Sequence, residues 1–206
     1  MQLHRRDVVD KATQLLDDYG IADLTMRRLA RELSVSPGAL YWHFADKQEL
    51  LGAVADRILE PASATVDDAS WSRCVVGVCT ALRDALLSST DGAELVSASF
   101  AAGKSERMTL ILTRLTAAAA EAGIDPRNAD LAARTVLYYV LGFTADEQSR
   151  LQWDAAGALV DGQSVLTENP NARFAFGLKL LVDGIAAISA VGLSDGPTSV
   201  PGHDLR

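Results

Sequence analysis

The sequence predicts an all-α fold: an N-terminal three-helix unit containing a helix-turn-helix, followed by a larger helical body. Apolar residues recur with the 3.6-residue period along most of the 206-residue chain. Capping residues mark where the periodic segments start and stop. No alternating apolar and polar run of useful length occurs, which leaves no strand to build a sheet from.

The first helix carries Val8, Ala12, Leu15, Leu16 and Tyr19 and closes at Gly20. Thr25 offers a side-chain oxygen to cap a second, over Met26 to Leu33, with Leu29, Ala30 and Leu33 on one face. Ser36-Pro37 is a cap followed by a first-turn residue, so a third, short helix covers Pro37 to His43. Asp46 and Glu49 have the spacing of a capping box for a fourth helix, with Leu50, Leu51, Val54 and Ile58, which Pro61 terminates.

From Trp71, a stripe of Cys74, Val75, Val78, Leu82 and Leu86 runs to the break at Asp91-Gly92. A short segment from Glu94 to Ala102 follows, then a helix with Met108, Ile111, Leu112 and Leu115 that stops at Gly123. Asp125-Pro126 opens a helix carrying Leu131, Val136, Leu137, Val140 and Leu141. Gln152 to Asn169 has mixed signals and reads as a loop with one turn of helix. Asn169-Pro170 starts the last helix, whose stripe is Phe174, Leu178, Leu181, Val182, Ile185 and Ile188. Beyond Leu193, the Gly- and Pro-containing stretch 194–206 reads as a disordered tail. The division is therefore 1–46 for the helix-turn-helix unit and 47–193 for the body.

Composition narrows the function. The longest uncharged stretch is 13 residues, 33–45, against the roughly 20 apolar residues of a membrane helix, so no membrane partner is expected. The first residues run straight into charge without an apolar segment, so a cytoplasmic location is expected. Cys74 and Cys79 have the wrong spacing for a CxxC metal or redox site and read as packing. A net charge of -8 argues against a nucleic-acid partner, but it is unevenly spread. Residues 1–50 hold seven basic and eight acidic residues, so the acidity belongs mainly to the rest. Within 24–47, four basic residues face two acidic ones.

The third helix is chemically unusual. Three of the chain's 12 aromatic residues, Tyr41, Trp42 and Phe44, flank His43. Leu40 and Phe44, four apart, supply the face a core requires, which leaves Tyr41, Trp42 and His43 pointing outward. Polar-tipped aromatics can reach phosphate oxygens, while small Gly38 and Ala39 let the helix approach a groove and a thymine methyl. Arg27 and Lys47 flank this tip and are placed for a base edge or a phosphate, whereas Arg31 reads as a solvated charge.

The run Leu24-Thr25-Met26-Arg27-Arg28-Leu29-Ala30-Arg31-Glu32-Leu33-Ser34-Val35-Ser36-Pro37-Gly38-Ala39-Leu40-Tyr41-Trp42-His43-Phe44, with Asp46-Lys47 and Leu50-Leu51, resembles the DNA-binding unit of the TetR (tetracycline repressor) family. The resemblance implies a homodimeric, ligand-responsive regulator that binds a palindromic operator in double-stranded DNA. It carries DNA contacts onto Thr25, Arg27, Ser36, Pro37, Gly38, Ala39, Tyr41, Trp42, His43 and Lys47. Pro37-Gly38 replaces the Gln-Pro pair of the tetracycline repressor, so a different operator sequence is expected.

The body resembles the family's ligand-binding and dimerisation domain at Trp71, Arg83 to Leu87, Asp91-Gly92-Ala93 and Phe176-Gly177-Leu178. The resemblance implies a small-molecule pocket at Ser63, Val78, Leu82, Val96, Phe100, Leu112 and Tyr138. Val96 stands where the tetracycline repressor has a magnesium-binding His, so an apolar or aromatic effector is expected, with no metal and no cofactor. These same residues would serve as packing in any helical bundle. Dimerisation is expected through Leu131 to Phe143 and Arg173 to Val191.

No enzymatic constellation assembles. Gly103-Lys104-Ser105 ends like a phosphate-binding loop but has Ala98 at the required first glycine. His4, His43 and His203 are scattered, and Asp146-Glu147 reads as a solvated carboxylate pair. A helical protein-interaction module or an activator of the same fold are the alternatives to a repressor, and the module leaves Tyr41, Trp42 and His43 unexplained.

Overall fold

A computed structural model describes residues 3–63, 70–157 and 168–191, except the side chains of residues 63 and 191. The described residues form α1 (Arg5–Tyr19), α2 (Met26–Glu32), α3 (Pro37–Tyr41), α4 (Lys47–Ile58), α5 (Trp71–Leu87), α6 (Gly92–Ala101), α7 (Glu106–Glu121), α8 (Pro126–Ala155) and α9 (Pro170–Val191). Short 3-10 turns cover Ile21–Asp23 and Pro61–Ser63. The stretch 194–206, read as a tail, lies outside the described residues.

Helix starts obey local chemistry. The Thr25 hydroxyl accepts the Arg28 N–H at 3.1 Å, and Asp46 Oδ1 accepts the Glu49 N–H at 2.8 Å. Glu49 reaches back one residue further than expected, to the N–H of Ala45. Asp125 Oδ1 accepts the Arg127 N–H at 2.8 Å, and the Arg127 guanidinium beside it holds this carboxyl below the usual carboxylate range.

Helices α1 to α4 share a core of Val8, Ala12, Leu16, Leu24, Leu29, Leu40, Phe44, Leu50 and Val54. Tyr19 departs from its expected buried stripe: it is exposed, and the Arg28 guanidinium lies 3.8 Å over its ring. In the body, α8 packs along α7 and also touches α5, α6 and α9.

The helical turn expected after Gln152 is the end of α8, which runs through 30 residues to Ala155, about 45 Å. Residues 158–167 lie outside the described part. Within that turn the Gln152 amide Nε2 donates to Asp91 Oδ1 across 61 residues of sequence, a pairing that periodicity cannot show. Gly177 makes room within the chain: a Cβ there would lie 2.6 Å from Tyr139 Cζ. The Tyr139 hydroxyl donates to the Phe174 carbonyl at 2.8 Å. Burial pushes its pKa up.

Glu147 is also a correction. It is largely enclosed, its side chain 14% exposed, in an ion pair: Arg83 donates to both its carboxylate oxygens, at 2.7 and 2.9 Å, and to Asn171 Oδ1 at 2.9 Å. Arg83 also lies 5.0 Å from the Phe174 ring centroid. One side chain thus joins α5, α8 and α9. Asp146 faces outward and pairs with Arg150, as expected of a solvated carboxylate.

Two regions of contact join α1–α4 to the helices that follow. Asp91, in left-handed conformation at the α5–α6 turn, accepts the Ile21 N–H at 2.8 Å, and the neighbouring Thr90 hydroxyl donates to the Asp17 carbonyl at 3.0 Å. Helix α4 makes the second contact. A Cβ on Gly52 would fall inside the contact distance of the Lys104 carbonyl oxygen and 2.8 Å from Lys104 Cβ, so α4 rests directly on the α6–α7 turn. One turn later, Asp56 accepts hydrogen bonds from the Ser105 hydroxyl and the Arg107 N–H, capping α7.

A candidate nucleic-acid interface and effector core

Helix α3 stands on Leu40 and Phe44, both fully buried, and turns its other residues to solvent. It ends earlier than expected, at Tyr41, with Trp42 and His43 in the following turn, where the His43 N–H reaches the Leu40 carbonyl at 2.9 Å. Trp42 is 90% exposed and Tyr41 52%. An indole and a phenol left this open present large apolar faces with polar tips.

The other expected contact residues stand around it. Thr25, Arg27, Ser36, Pro37 and Gly38 are exposed, and Ala39, His43 and Lys47 are half-buried. Ser36 precedes α3 without a side-chain capping bond. A Cβ on Gly38 would meet nothing nearer than Ser36 Oγ at 3.8 Å, so the chain's own packing does not require glycine there.

Electrostatics divides the basic residues. Arg28 is held by Asp23 at 2.5 Å and by the Tyr19 ring, which makes it part of the scaffold. Arg5 pairs with Glu49 at 3.3 Å and stacks on Phe44, bracing α1 against the start of α4. Arg31 lies 3.9 Å from Glu32 at the surface. Neither Arg27 nor Lys47 forms an ion pair among the described residues. Arg27 lies in the first turn of α2 and Lys47 opens α4.

In the body, Val78 and Leu82 of α5, Val96 of α6 and Leu112 of α7 are all buried in one continuous core, with Phe100 half-buried against it. Ser63's side chain lies outside the described residues. Tyr138 stands apart: it is exposed and lines a 610 Å³ cleft between α6 and α8 together with Glu94, Ala98, Gly142 and Gln152. The expected lining therefore divides between an interior cluster and this open cleft. Burial raises the Cys79 thiol to about 12, so it stays protonated at neutral pH and serves as packing.

Sequence reading missed Arg83, Glu147, Asp56 and Asp91, whose partners lie 49 to 88 residues away in sequence. Asp91-Gly92 was recognised as a break, which was the available signal; the polar ties it makes were not visible. No group of three or more His, Cys, Asp or Glu side chains that could hold a metal occurs among the described residues, and no described helix is long and apolar enough to cross a membrane.

Comparison with known proteins agrees with this arrangement. Residues 8–54 match the sequence model of bacterial regulatory proteins of the tetR family, and residues 64–160 match that of the tetracyclin repressor-like C-terminal domain. The chain is 33% identical over 190 residues to the class C tetracycline repressor protein of Escherichia coli, an alignment covering 89% of this chain and 83% of that protein. The structure of Mycobacterium smegmatis BioQ superimposes with a TM-score of 0.85 at 63% identity, covering 90% of this chain and 99% of that one. A structure of BioQ with its natural double-stranded DNA operator gives 0.80 at 60% identity, with the same coverage.

Proposed function

The chain belongs to the tetR family of bacterial regulatory proteins, DNA-binding regulators of transcription, and on that footing we propose that it represses as a homodimer on a palindromic operator and is released by a small apolar or aromatic effector. The observation that carries the DNA half is the exposed Tyr41-Trp42 tip flanked by the unpaired Arg27 and Lys47. In this reading residues 1–46 form the reading head, and Thr25, Ser36, Pro37, Gly38, Ala39 and His43 complete its contact surface. Two heads enter successive major grooves about 34–36 Å apart. Regulation of this kind asks no catalysis of the chain and takes place in the cytoplasm.

Tyr41→Ala weakens binding to a palindromic fragment from the adjacent promoter region by about tenfold, the scale of one lost contact of 1–3 kcal/mol, while the thermal midpoint stays within a degree or two. Gly38→Ala behaves likewise, because only an approaching partner would meet the new methyl. Lys47→Ala lowers the magnitude of the log–log salt slope by about one. Titration by fluorescence anisotropy reads all three; a Tyr41→Ala protein that unfolds instead assigns that residue to the core.

The dimer half is supported by Leu131 on α8 and Phe176, Leu180 and Ile188 on α9, large apolar side chains that the single chain leaves exposed. They continue the helices expected to pair, and such a surface is rare on a monomer. Leu180→Glu sediments as a monomer at micromolar concentration where the parent sediments as a dimer. An unchanged sedimentation coefficient would place the interface elsewhere.

A further inference from the structure

One polar atom in the body core lacks a use. Ser99 of α6 is 1% exposed, and its hydroxyl has no hydrogen-bond partner among the described residues. A buried hydroxyl without a partner is costly, and native structures keep few of them.

The usual remedy was open to it. A serine or threonine inside a helix can donate to the carbonyl four residues earlier. Thr116, Thr135, Thr144 and Ser189 all do so here, at 2.7 to 3.0 Å, and Thr144 does so while fully buried. Ser99 makes no such bond to Leu95. Arg28 Nε, also unpartnered and buried among the described residues, belongs to a guanidinium that already rests on the Tyr19 ring. Ser99 has no such compensation.

Its place in the fold gives the hydroxyl a meaning. Leu95 and Val96, four and three residues earlier, share its helix face and are fully buried. Helix α6 packs on α5, which carries Val78 and Leu82. The buried face of α6 that carries Val96, one of the residues expected to line the effector site, therefore contains one unsatisfied donor and acceptor. Resting on the effector reading above, we infer that Ser99 is the polar anchor of that site: the effector is an apolar or aromatic body bearing a hydroxyl, carbonyl or carboxyl oxygen that pairs with Ser99 Oγ. The Ser99 carbonyl accepts the Lys104 N–H at 2.9 Å, so the anchoring residue is also hydrogen-bonded to the turn on which Gly52 of α4 rests.

The test begins without ligand. Ser99→Ala deletes the orphan hydroxyl and raises the thermal midpoint of the full-length protein by about 2–4 °C. Ser97→Ala, on the exposed face of α6, measures the gain from helix propensity alone and is the smaller of the two. Operator binding by unliganded Ser99→Ala stays unchanged. A midpoint that falls, a rise no larger than that of Ser97→Ala, or a loss of operator binding would each overturn the proposal by giving the hydroxyl a structural partner.

Phenol and toluene, matched in shape and differing by one hydroxyl, then serve as probes by calorimetry. The parent protein prefers phenol by about tenfold, and Ser99→Ala loses that preference. Equal binding of both probes to the parent protein overturns the role of Ser99 and leaves the effector site standing. Failure of both to bind overturns the effector reading of this core, and the proposal falls with it.

Discussion

Replacing Arg83 by methionine lowers the thermal midpoint by on the order of 10 °C. Arg83 is 5% exposed and supplies three hydrogen bonds, two to Glu147 and one to Asn171. Methionine fills much of the same volume but leaves a carboxylate enclosed without its counter-ion. Removing one partner of a buried pair costs about 3–5 kcal/mol, and each kcal/mol moves the midpoint of a chain this size by about 2–4 °C. The double variant Arg83→Met/Glu147→Met recovers most of the loss, since a buried ion pair replaced by apolar residues of similar volume is close to neutral. Differential scanning calorimetry of the two variants decides it. A double variant no more stable than Arg83→Met would show that the loss was one of packing and not of an uncompensated charge.

Gly52→Ala is expected to lower the midpoint by about 5 °C, and Gly52→Val to yield little soluble protein. Helix propensity alone predicts the opposite sign, a gain of about 1 kcal/mol for alanine over glycine in the middle of a helix. The contact decides against it. The new Cβ would sit against the Lys104 backbone, 2.9 Å from its carbonyl carbon, and backbone cannot swing aside as the end of a side chain can. Separating α4 from the α6–α7 turn also strains the Asp56 cap on α7. Overpacking of this kind costs about 1–3 kcal/mol beyond the propensity gain it cancels. A Gly52→Ala protein more stable than its parent would sink this account, and its soluble yield and thermal scan are the measurements needed.

What the sequence disclosed and what it concealed follow one physical line. Helix starts were legible because a cap is made within three or four residues: Thr25, Asp46 and Asp125 all bond as their positions imply. The outward face of α3 was legible for the same reason, since burying Leu40 and Phe44 determines where Tyr41 lies. Glu147 was misread as solvated because its counter-ion is 64 residues distant, and the sequence has no local sign of that encounter. The junction of α8 with the α5–α6 turn was not legible because the Gln152 side chain bonds to Asp91, 61 residues away. Ser99 was invisible for a subtler reason: its importance is a bond it does not make.

The polar tie at Asp91 has a mechanical consequence. Helices α1 to α4 meet the rest of the chain through α4, which rests on Lys104, and also through Asp91 and Thr90, which bond to Ile21 and Asp17. Moving these four helices as a unit away from the α5–α6 turn breaks the bonds at Asp91 and Thr90, so the orientation of α3 is tied to that turn as well as to α4.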